Sequence, residues 1–365
     1  MAYPQYVSAQ SAKTKPKKST GELALLQELR RRAATQPSPE IRLGIGDDCA
    51  LLRLRPGEEL AVTTDLSIAG RHFDLDLHPP ESVGHRTLAR GLSDLAAMGA
   101  RPVAAFLSLA LPRELTVPSS SQRRTNPRDS FSWMSRFLDG LLALARRHKS
   151  PLAGGDLAES PLAVADIVLT GAVPRGGALL RSGAQPADLI CVTGRLGGSA
   201  AAFARLRAIA EKSSRIPGTT KPRKSKHLNL GNGSELQSHL YPEPRIAQGL
   251  WLARHRAATA AIDLSDGLST DLGHLCEESE VAAEVDETLL PVHPGATLHQ
   301  ALNGGEDYEL LFTAPASIRL PRSIVGVAVT PIGRIVKRRR GQPDVTLLTA
   351  RGPQPLAPQG WQHFS

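Results

Sequence analysis

Residues 257–278 read AATAAIDLSDGLSTDLGHLCEE, and this stretch decides how the rest of the chain is interpreted. Its apolar start predicts a strand over Ala257–Ile262. The loop DLSDG follows, with Asp263 and Asp266, and the next residues predict a helix over Thr270–Glu278. An acidic, glycine-containing loop between a strand and a helix is a place where carboxylate oxygens can meet a metal ion or a phosphate.

Acidic residues beside Gly, Ser or Thr recur where the sequence predicts other turns. A single turn of this kind is more often structural than functional, because Asp is a common helix cap and turn residue. The repetition favours function, since several segments sit at the ends of predicted strands. They are GIGDDCA with Asp47 and Asp48, TTD with Asp65, LSD with Asp94, AGGD with Asp156, and GGED with Glu306 and Asp307.

Hard cations explain this pattern best. Mg²⁺ takes oxygen ligands and usually uses one or two carboxylates, leaving positions for water and phosphate. The neighbouring glycines let a phosphate approach the backbone N–H groups. Ca²⁺ is the alternative ion, but the chain has no DxDxDG loop with its terminal Glu. The residues therefore predict an enzyme that depends on Mg²⁺ and ATP.

Familiar nucleotide and catalytic signatures are absent from the sequence. It has no GxxxxGK[ST], HExxH, GxSxG or kinase HRD/DFG set. The segment 194–198, GRLGG, follows a predicted strand but lacks the GxGxxG spacing. His72 lies in a polar loop, where a histidine is usually a surface residue. No residue is therefore a certain catalytic acid or base.

The element pattern predicts an α+β fold with a boundary between residues 173 and 182. Strands and helices are mixed without regular alternation. Besides the opening stretch, the expected strands are 59–65, 103–109, 164–173, 189–193 and 308–313, and the expected helices begin at Glu22 and cover about 80–98, 131–148, 199–210 and 244–256.

The formal net charge of +9 is concentrated in segments with little hydrophobic pattern. Residues 1–20 are expected to be a disordered basic tail, residues 116–130 a polar loop, and about 211–240 a mobile insertion. Solvated tails explain the charge, so nucleic acid is an unlikely partner; with 4% aromatic residues there is little to stack on bases.

The chain is predicted to be cytoplasmic and not membrane-bound. No apolar run is long enough to span a bilayer, and the N-terminus has no signal-peptide pattern. The cysteines, at positions 49, 191 and 276, are scattered without a CxxC pair, which fits a reducing compartment.

In their order along the chain, these segments resemble the thiamine-monophosphate kinases of the aminoimidazole-ribonucleotide synthetase-like superfamily. LSDLAAMGA and IDLSDG are typical of the superfamily, and GIGDDCA with GGEDYEL narrows the likeness to these kinases. The likeness runs from about Gly21 to Phe364, interrupted at 116–130 and 211–240. It implies transfer of the ATP γ-phosphoryl group to thiamine monophosphate, with several Mg²⁺ ions.

The resemblance also implies a two-domain organisation and a homodimer. Residues 21–174 would form an α/β-type domain that binds ATP and Mg²⁺ and dimerises through its sheet. Residues 175–365 would form an α+β domain.

Site residues follow from the matching motifs. Asp65 and Asp94 would be the most critical. The implied magnesium ligands are Asp48, Thr63 or Thr64, Asp65, Asp94, Asp156, Asp263 and Asp266. The implied ATP contacts are Gly155, Asp156, Arg181 and Ser265, and the implied thiamine contacts are His72, Glu306 and Trp361.

Two positions depart from the family pattern. Gly91 stands where Asn commonly precedes LSD, and Leu138 follows Phe137 where many members have Tyr near the adenine. Another ATP-dependent superfamily enzyme, such as aminoimidazole-ribonucleotide synthetase, is the alternative function. A nonenzymatic polyanion-binding protein is the alternative from a different class.

Overall fold

The structure is a computed structural model of the 365-residue chain. It describes residues 22–33, 38–117, 132–214 and 234–360. The predicted tail at 1–20, most of the loop at 116–130, and most of the insertion at 211–240 lie outside these ranges. Among the described residues, no helix is both long and apolar enough to span a bilayer.

The N-terminal part is built on a four-stranded sheet. Helix α1 (Glu22–Ala33) and a short pair, β1 (Ile41–Leu43) with β2 (Leu51–Leu52), precede it. The sheet has the order β3-β6-β4-β5, in which only the β4–β5 pairing is parallel. Its strands are β3 (Glu58–Ile68), β4 (Arg101–Leu111), β5 (Leu152–Glu159) and β6 (Val164–Pro174).

Two helices of the N-terminal part pack against each other through glycine. Pro80 begins α2 (Pro80–Ala97), where its missing N–H costs nothing, and Gly99 follows its end at φ 62°. The Ser132 side chain caps α3 (Trp133–Arg147) by accepting the N–H of Ser135. A Cβ on Gly84 of α2 would lie 1.9 Å from the Phe137 carbonyl oxygen, so the two backbones are in direct contact.

The C-terminal part contains a larger mixed sheet in the order β14-β13-β9-β12-β7-β10-β8. Short strand β11 pairs with β12, and β13 runs parallel to β9. The strands are β7 (Leu189–Thr193), β8 (Ala260–Asp263), β9 (Val281–Asp286), β10 (Leu310–Ala314), β11 (Ser323–Ile324), β12 (Val327–Lys337), β13 (Val345–Thr349) and β14 (Gly352–Pro355). The helices are α4 (Gly198–Ser214), α5 (Gln237–Leu240), α6 (Ile246–His255), α7 (Leu268–Glu278) and α8 (Leu298–Asn303).

Helix α2 also contacts the C-terminal part. A Cβ on Gly249 of α6 would lie 1.9 Å from the Ala96 carbonyl oxygen. One apolar cluster includes Leu92 of α2, Phe137 of α3 and Phe312 of β10. The predicted boundary near residue 174 coincides with the end of β6, but the core continues across it.

The predicted α+β fold is confirmed, whereas the turn expected at AGGD is wrong, because Asp156 lies within β5. Asp65 lies within β3 and Asp94 within α2, as the expected strand 59–65 and helix 80–98 imply, although both acids were also grouped with turns. The two glycines of AGGD suggested a turn, but they serve close strand pairing. A Cβ on Gly155 would lie 1.9 Å from the Leu107 carbonyl oxygen of β4.

Candidate active site

A cavity of about 610 Å³ lies where α2 and the inner face of β3 meet the loops of the C-terminal part. Its walls come from β3, α2, the DLSDG loop, the 305–308 loop and the start of α4. Many residues expected at the site line this cavity: Asp65, His72, Asp94, Asp263, Ser265, Asp266 and Glu306.

Three carboxylates from different elements meet at one end of the cavity. Asp65 points inward from β3, Asp94 from α2, and Asp263 ends β8. The Thr63 hydroxyl donates a hydrogen bond to Asp94 Oδ2. The Ser93 hydroxyl donates to Asp263 Oδ2 over 2.7 Å. Hydroxyls on β3 and α2 therefore hold two of the three carboxylates in place.

These carboxylates are mutually repulsive when ionised. Burial, with Asp94 next in importance, raises the pKa of Asp65 to about 6, although Arg90 opposes the shift. Burial raises the pKa of Asp94. Burial and the charge of Asp94 raise the pKa of Asp263 well above its usual value. A site in which buried acids disfavour one another's ionisation gains free energy from a bound cation.

The donor set fits Mg²⁺ in the way this ion is usually bound. Within residues 22–33, 38–117, 132–214 and 234–360, no three acidic, His or Cys side chains are already arranged around one metal position. Mg²⁺ commonly takes one or two carboxylates and completes its coordination with water and substrate phosphates. Asp65, Asp94 and Asp263 can supply that number of ligands.

The DLSDG loop is held by Asp271, a residue that the sequence analysis did not single out. Its Oδ2 accepts the N–H groups of Asp266 and Gly267 over 3.1 and 3.0 Å. Burial, with the charge of Asp266 next, raises the pKa of Asp271 to about 7. Its position one helical turn beyond Gly267 was the signal for this capping role.

The other end of the cavity carries a buried network around Arg86. The guanidinium donates to Glu306 Oε1 and to His239 Nε2, each over 2.5 Å. His78 Nε2 lies 3.0 Å from the same His239 nitrogen, and the Phe203 ring packs 4.9 Å from His239. Burial, with the charge of Arg86 next, lowers the pKa of His78 to about 4. The imidazoles are therefore neutral beside a permanent cation.

This network was missed because its members lie far apart in sequence. Arg86 is 153 residues from His239 and 220 from Glu306. Neither Arg86 nor His239 belongs to a motif with chemical spacing. His72 was expected here, and its Nδ1 accepts the N–H of Ile68 over 3.1 Å.

A second cavity, of about 360 Å³, holds other predicted residues. Asp48, Gly155 and Asp156 line it, together with the 44–50 loop and α1. Among the described residues, none lines both cavities. The aspartates that were expected to bind magnesium together therefore lie in two separate cavities of the chain.

The remaining predicted residues have separate positions. Thr64 lies on the outer face of β3, opposite Asp65, and donates to Asp166 Oδ1 over 2.9 Å. Arg181 lies close enough to Asp94 for its charge to oppose the rise of that pKa, which is caused mainly by burial. Trp361 lies outside the described residues.

The two departures from the family pattern concern packing. Leu138 is 1% exposed in the core and lines neither cavity. A Cβ on Gly91 would lie 2.7 Å from Leu169 Cδ1, so a side chain there requires Leu169 to move.

Known proteins resemble the chain in sequence and in structure. The family described as AIR synthase related protein, N-terminal domain, matches residues 46–176. The thiamine-monophosphate kinase of Escherichia coli (strain K12) is 38% identical over 342 residues, covering 89% of this chain and 93% of that protein. The thiamine-monophosphate kinase of Bacillus subtilis (strain 168) is 30% identical over 354 residues, covering 94% and 99%.

Solved structures give the same result. The thiamine-monophosphate kinase from Stenotrophomonas maltophilia K279a superposes with a TM-score of 0.69 at 38% identity, covering 89% of this chain and 96% of that chain. AaThiL complexed with AMPPCP and TMP superposes with a TM-score of 0.66 at 29% identity, covering 97% and 100%. With relatives above 30% identity matched over nearly their whole length, the chain belongs to the thiamine-monophosphate kinase family.

Proposed function

We propose that the chain transfers the γ-phosphoryl group of ATP to the phosphate of thiamine monophosphate, giving thiamine diphosphate and ADP. The observation that carries the proposal is the cluster of Asp65, Asp94 and Asp263 at one end of a cavity whose other end holds Glu306 and His72. The acceptor has a phosphate at one end, which the clustered carboxylates would bind through Mg²⁺, and a cationic ring system at the other, which Glu306 can pair with.

The reaction does not require a protein base. An ionised acceptor phosphate is already a nucleophile, so the chain needs to bring two anions together in line. Bound Mg²⁺ supplies the positive charge that neutralises the phosphates. Asp65, Asp94 and Asp263 would hold such ions, and Thr63 and Ser93 orient two of these carboxylates.

At the other end, Glu306 offers a negative charge to the thiazolium or an acceptor to the pyrimidine. Arg86 fixes the Glu306 carboxylate from behind, so the acid is oriented before the substrate arrives. The Phe203 ring lines the cavity and offers an apolar contact for a flat heterocycle.

We assign part of the nucleotide to the second cavity. Gly155 and Asp156 line it, and Asp48 can hold an ion there. The glycines of its 44–50 loop permit close approach of phosphates to the backbone, whereas Gly155 serves strand pairing. Ser265 would contact the nucleotide from the first cavity, and Arg181, whose charge acts on Asp94, would contact it beside that cavity. Thr64 and Asp266 are further proposed Mg²⁺ ligands.

A homodimer is also part of the proposal. Strand β3 is at the edge of its sheet, and its outer face exposes Leu60, Val62 and Leu66, each at least half exposed. A row of exposed apolar residues on an edge strand favours association with a second copy. The division at residue 174 and a cytoplasmic location remain proposals, the latter motivated by the scattered cysteines.

One assay tests the function. The purified chain with Mg-ATP and thiamine monophosphate should form thiamine diphosphate and ADP, and Asp94→Asn should reduce the rate by roughly 100-fold or more because a ligand for the neutralising cation is lost. Asp344→Asn removes an exposed carboxylate paired with Arg338 and serves as the control. Consumption of formylglycinamidine ribonucleotide without thiamine diphosphate formation would support the alternative enzyme instead.

A further inference from the structure

Helix α2 carries three charged residues at a spacing of four. Arg86, Arg90 and Asp94 therefore lie on the same side of the helix, with about 6 Å of axial rise between neighbours. Arg86 contacts Glu306 at the ring end of the cavity, and Asp94 lies in the carboxylate cluster at the other end. Arg90 is between them and lines the cavity itself.

The guanidinium of Arg90 has N–H donors that its ion pair with Asp65 does not use. Its Nε lies 3.6 Å from Asp65 Oδ1, which is an ion pair beyond normal hydrogen-bonding distance. Among the residues that the structure describes, Asp65 is the acidic residue that lies within ion-pair distance of its nitrogens. The side chain is 20% exposed, and the cavity that it lines provides that exposure. The N–H groups of the planar fork that do not face Asp65 are thus available to a ligand in the cavity.

The ionisable side chains around Arg90 are acidic, so Arg90 is the group that can attract an anion between the two ends of the cavity. The side chains that face it electrostatically are Tyr308, Asp65 and Glu306. A phosphate in this region meets several carboxylates, so a fixed positive group is required in addition to metal ions. Arg is suited to the task, because its fork forms paired hydrogen bonds with phosphate oxygens.

We propose that Arg90 binds the phosphate group of the acceptor and so gives the cavity its preference for a phosphorylated ring compound over the unphosphorylated one. This assignment rests on the proposed function. It makes Arg90 the residue that distinguishes thiamine monophosphate from thiamine, whereas Glu306 and His72 contact the part that the two compounds share.

Binding of the two compounds to the full chain tests the assignment. Dissociation constants for thiamine monophosphate and for thiamine are measured with Mg²⁺ and without nucleotide, in the wild type, Arg90→Met and Arg90→Lys. Loss of charge-assisted hydrogen bonds should weaken thiamine monophosphate binding by about 10- to 100-fold in Arg90→Met. Thiamine binding should change less than about twofold, and Arg90→Lys should lose part of the preference because it keeps the charge without the fork.

Arg334→Met is the matched control, because Arg334 is exposed and paired with Glu284 outside the cavity. Equal weakening of both compounds in Arg90→Met would mean that Arg90 only maintains Asp65, and it would overturn the assignment. An unchanged preference would also overturn it. If Arg90→Met does not fold, the preference of Arg90→Lys decides, since a full wild-type ratio there contradicts a role for the fork.

The outcomes separate this inference from the proposed function. A wild-type chain that neither binds nor phosphorylates thiamine monophosphate contradicts both. A wild-type chain that turns over normally, with Arg90→Met retaining the wild-type preference, contradicts only the role of Arg90.

Discussion

Asp263 has the least favourable surroundings of the three clustered carboxylates. Asp263 is 3% exposed, and burial together with the charge of Asp94 raises its pKa. Its carboxylate accepts a hydrogen bond from the Ser93 hydroxyl. A buried charge of this kind costs stability in the absence of a cation. The carboxylate cluster therefore lowers the stability of the metal-free protein, and a bound cation offsets that loss.

Asp263→Asn should consequently stabilise the metal-free protein by about 1 kcal/mol or more while removing most kinase activity. The amide oxygen can still accept from Ser93, but it carries no charge to repel Asp94. Thermal unfolding without Mg²⁺, paired with the kinase assay, measures both effects. A lower unfolding temperature together with full activity would contradict the view that this acid is kept for its charge.

Residues could be predicted from sequence where they stand in a motif. Asp65 and Asp94 each follow a hydroxyl residue and Asp263 stands two residues before Ser265, all in recognisable segments, and the structure brings these three together. Arg86, Arg90 and His239 have no such context. Their roles depend on which elements pack together. Local sequence patterns do not show that packing for residues such as Arg86 and His239, which are 153 positions apart.

At the scale of elements, glycine sets the position of α2. A Cβ on Gly84 would overlap the Phe137 carbonyl, and one on Gly140 of α3 would lie 1.8 Å from the Glu81 carbonyl oxygen. Neither carbonyl can move without displacing its helix. The α2–α3 distance is therefore fixed from both sides.

Gly84→Ala should lower the free energy of unfolding by roughly 3 kcal/mol, because overpacking against backbone cannot be relieved by a rotamer change. The matched control is Gly273→Ala in α7, where a Cβ meets nothing within 4 Å. That change should be neutral or stabilise by about 0.5–1 kcal/mol, as Gly is a poor helix former. Urea unfolding of both variants gives the comparison, and equal effects would contradict the contact.

The sequence predicted most helices within a few residues, but it misread one strand and gave no prediction for β9, β12, β13 and β14. Periodicity and the Pro79-Pro80 pair located α2, whereas the glycines of β5 were taken for a turn. Glycine marks either a turn or a close backbone approach, and only the neighbouring strand decides between them.

For the whole molecule, the outer face of β3 determines the assembly that we propose. Val62 is 60% exposed at the middle of this face. Val62→Glu should convert a dimer into a monomer, because burying an unpaired charge in an apolar interface is costly. Light scattering coupled to gel filtration measures the mass. Val325→Glu, at a residue 65% exposed in another part of the fold, should leave the mass unchanged.

The separation of the acidic residues into two cavities could not be predicted from sequence. The segments GIGDDCA and AGGD look equivalent to LSD and IDLSDG as strings of residues. Strand order puts β3 and β5 at opposite edges of the four-stranded sheet, so Asp156, together with Asp48, lies away from Asp65.

Helix α2 also limits where insertions and deletions can occur in the chain. Adding or removing one residue between Arg86 and Asp94 would turn one of them about 100° away from the cavity. With Asp94 held in place, it would also turn Gly84 away from the Phe137 carbonyl that it contacts. We therefore expect insertions and deletions among relatives to fall in the connecting segments, while the count of residues from 80 to 97 stays constant.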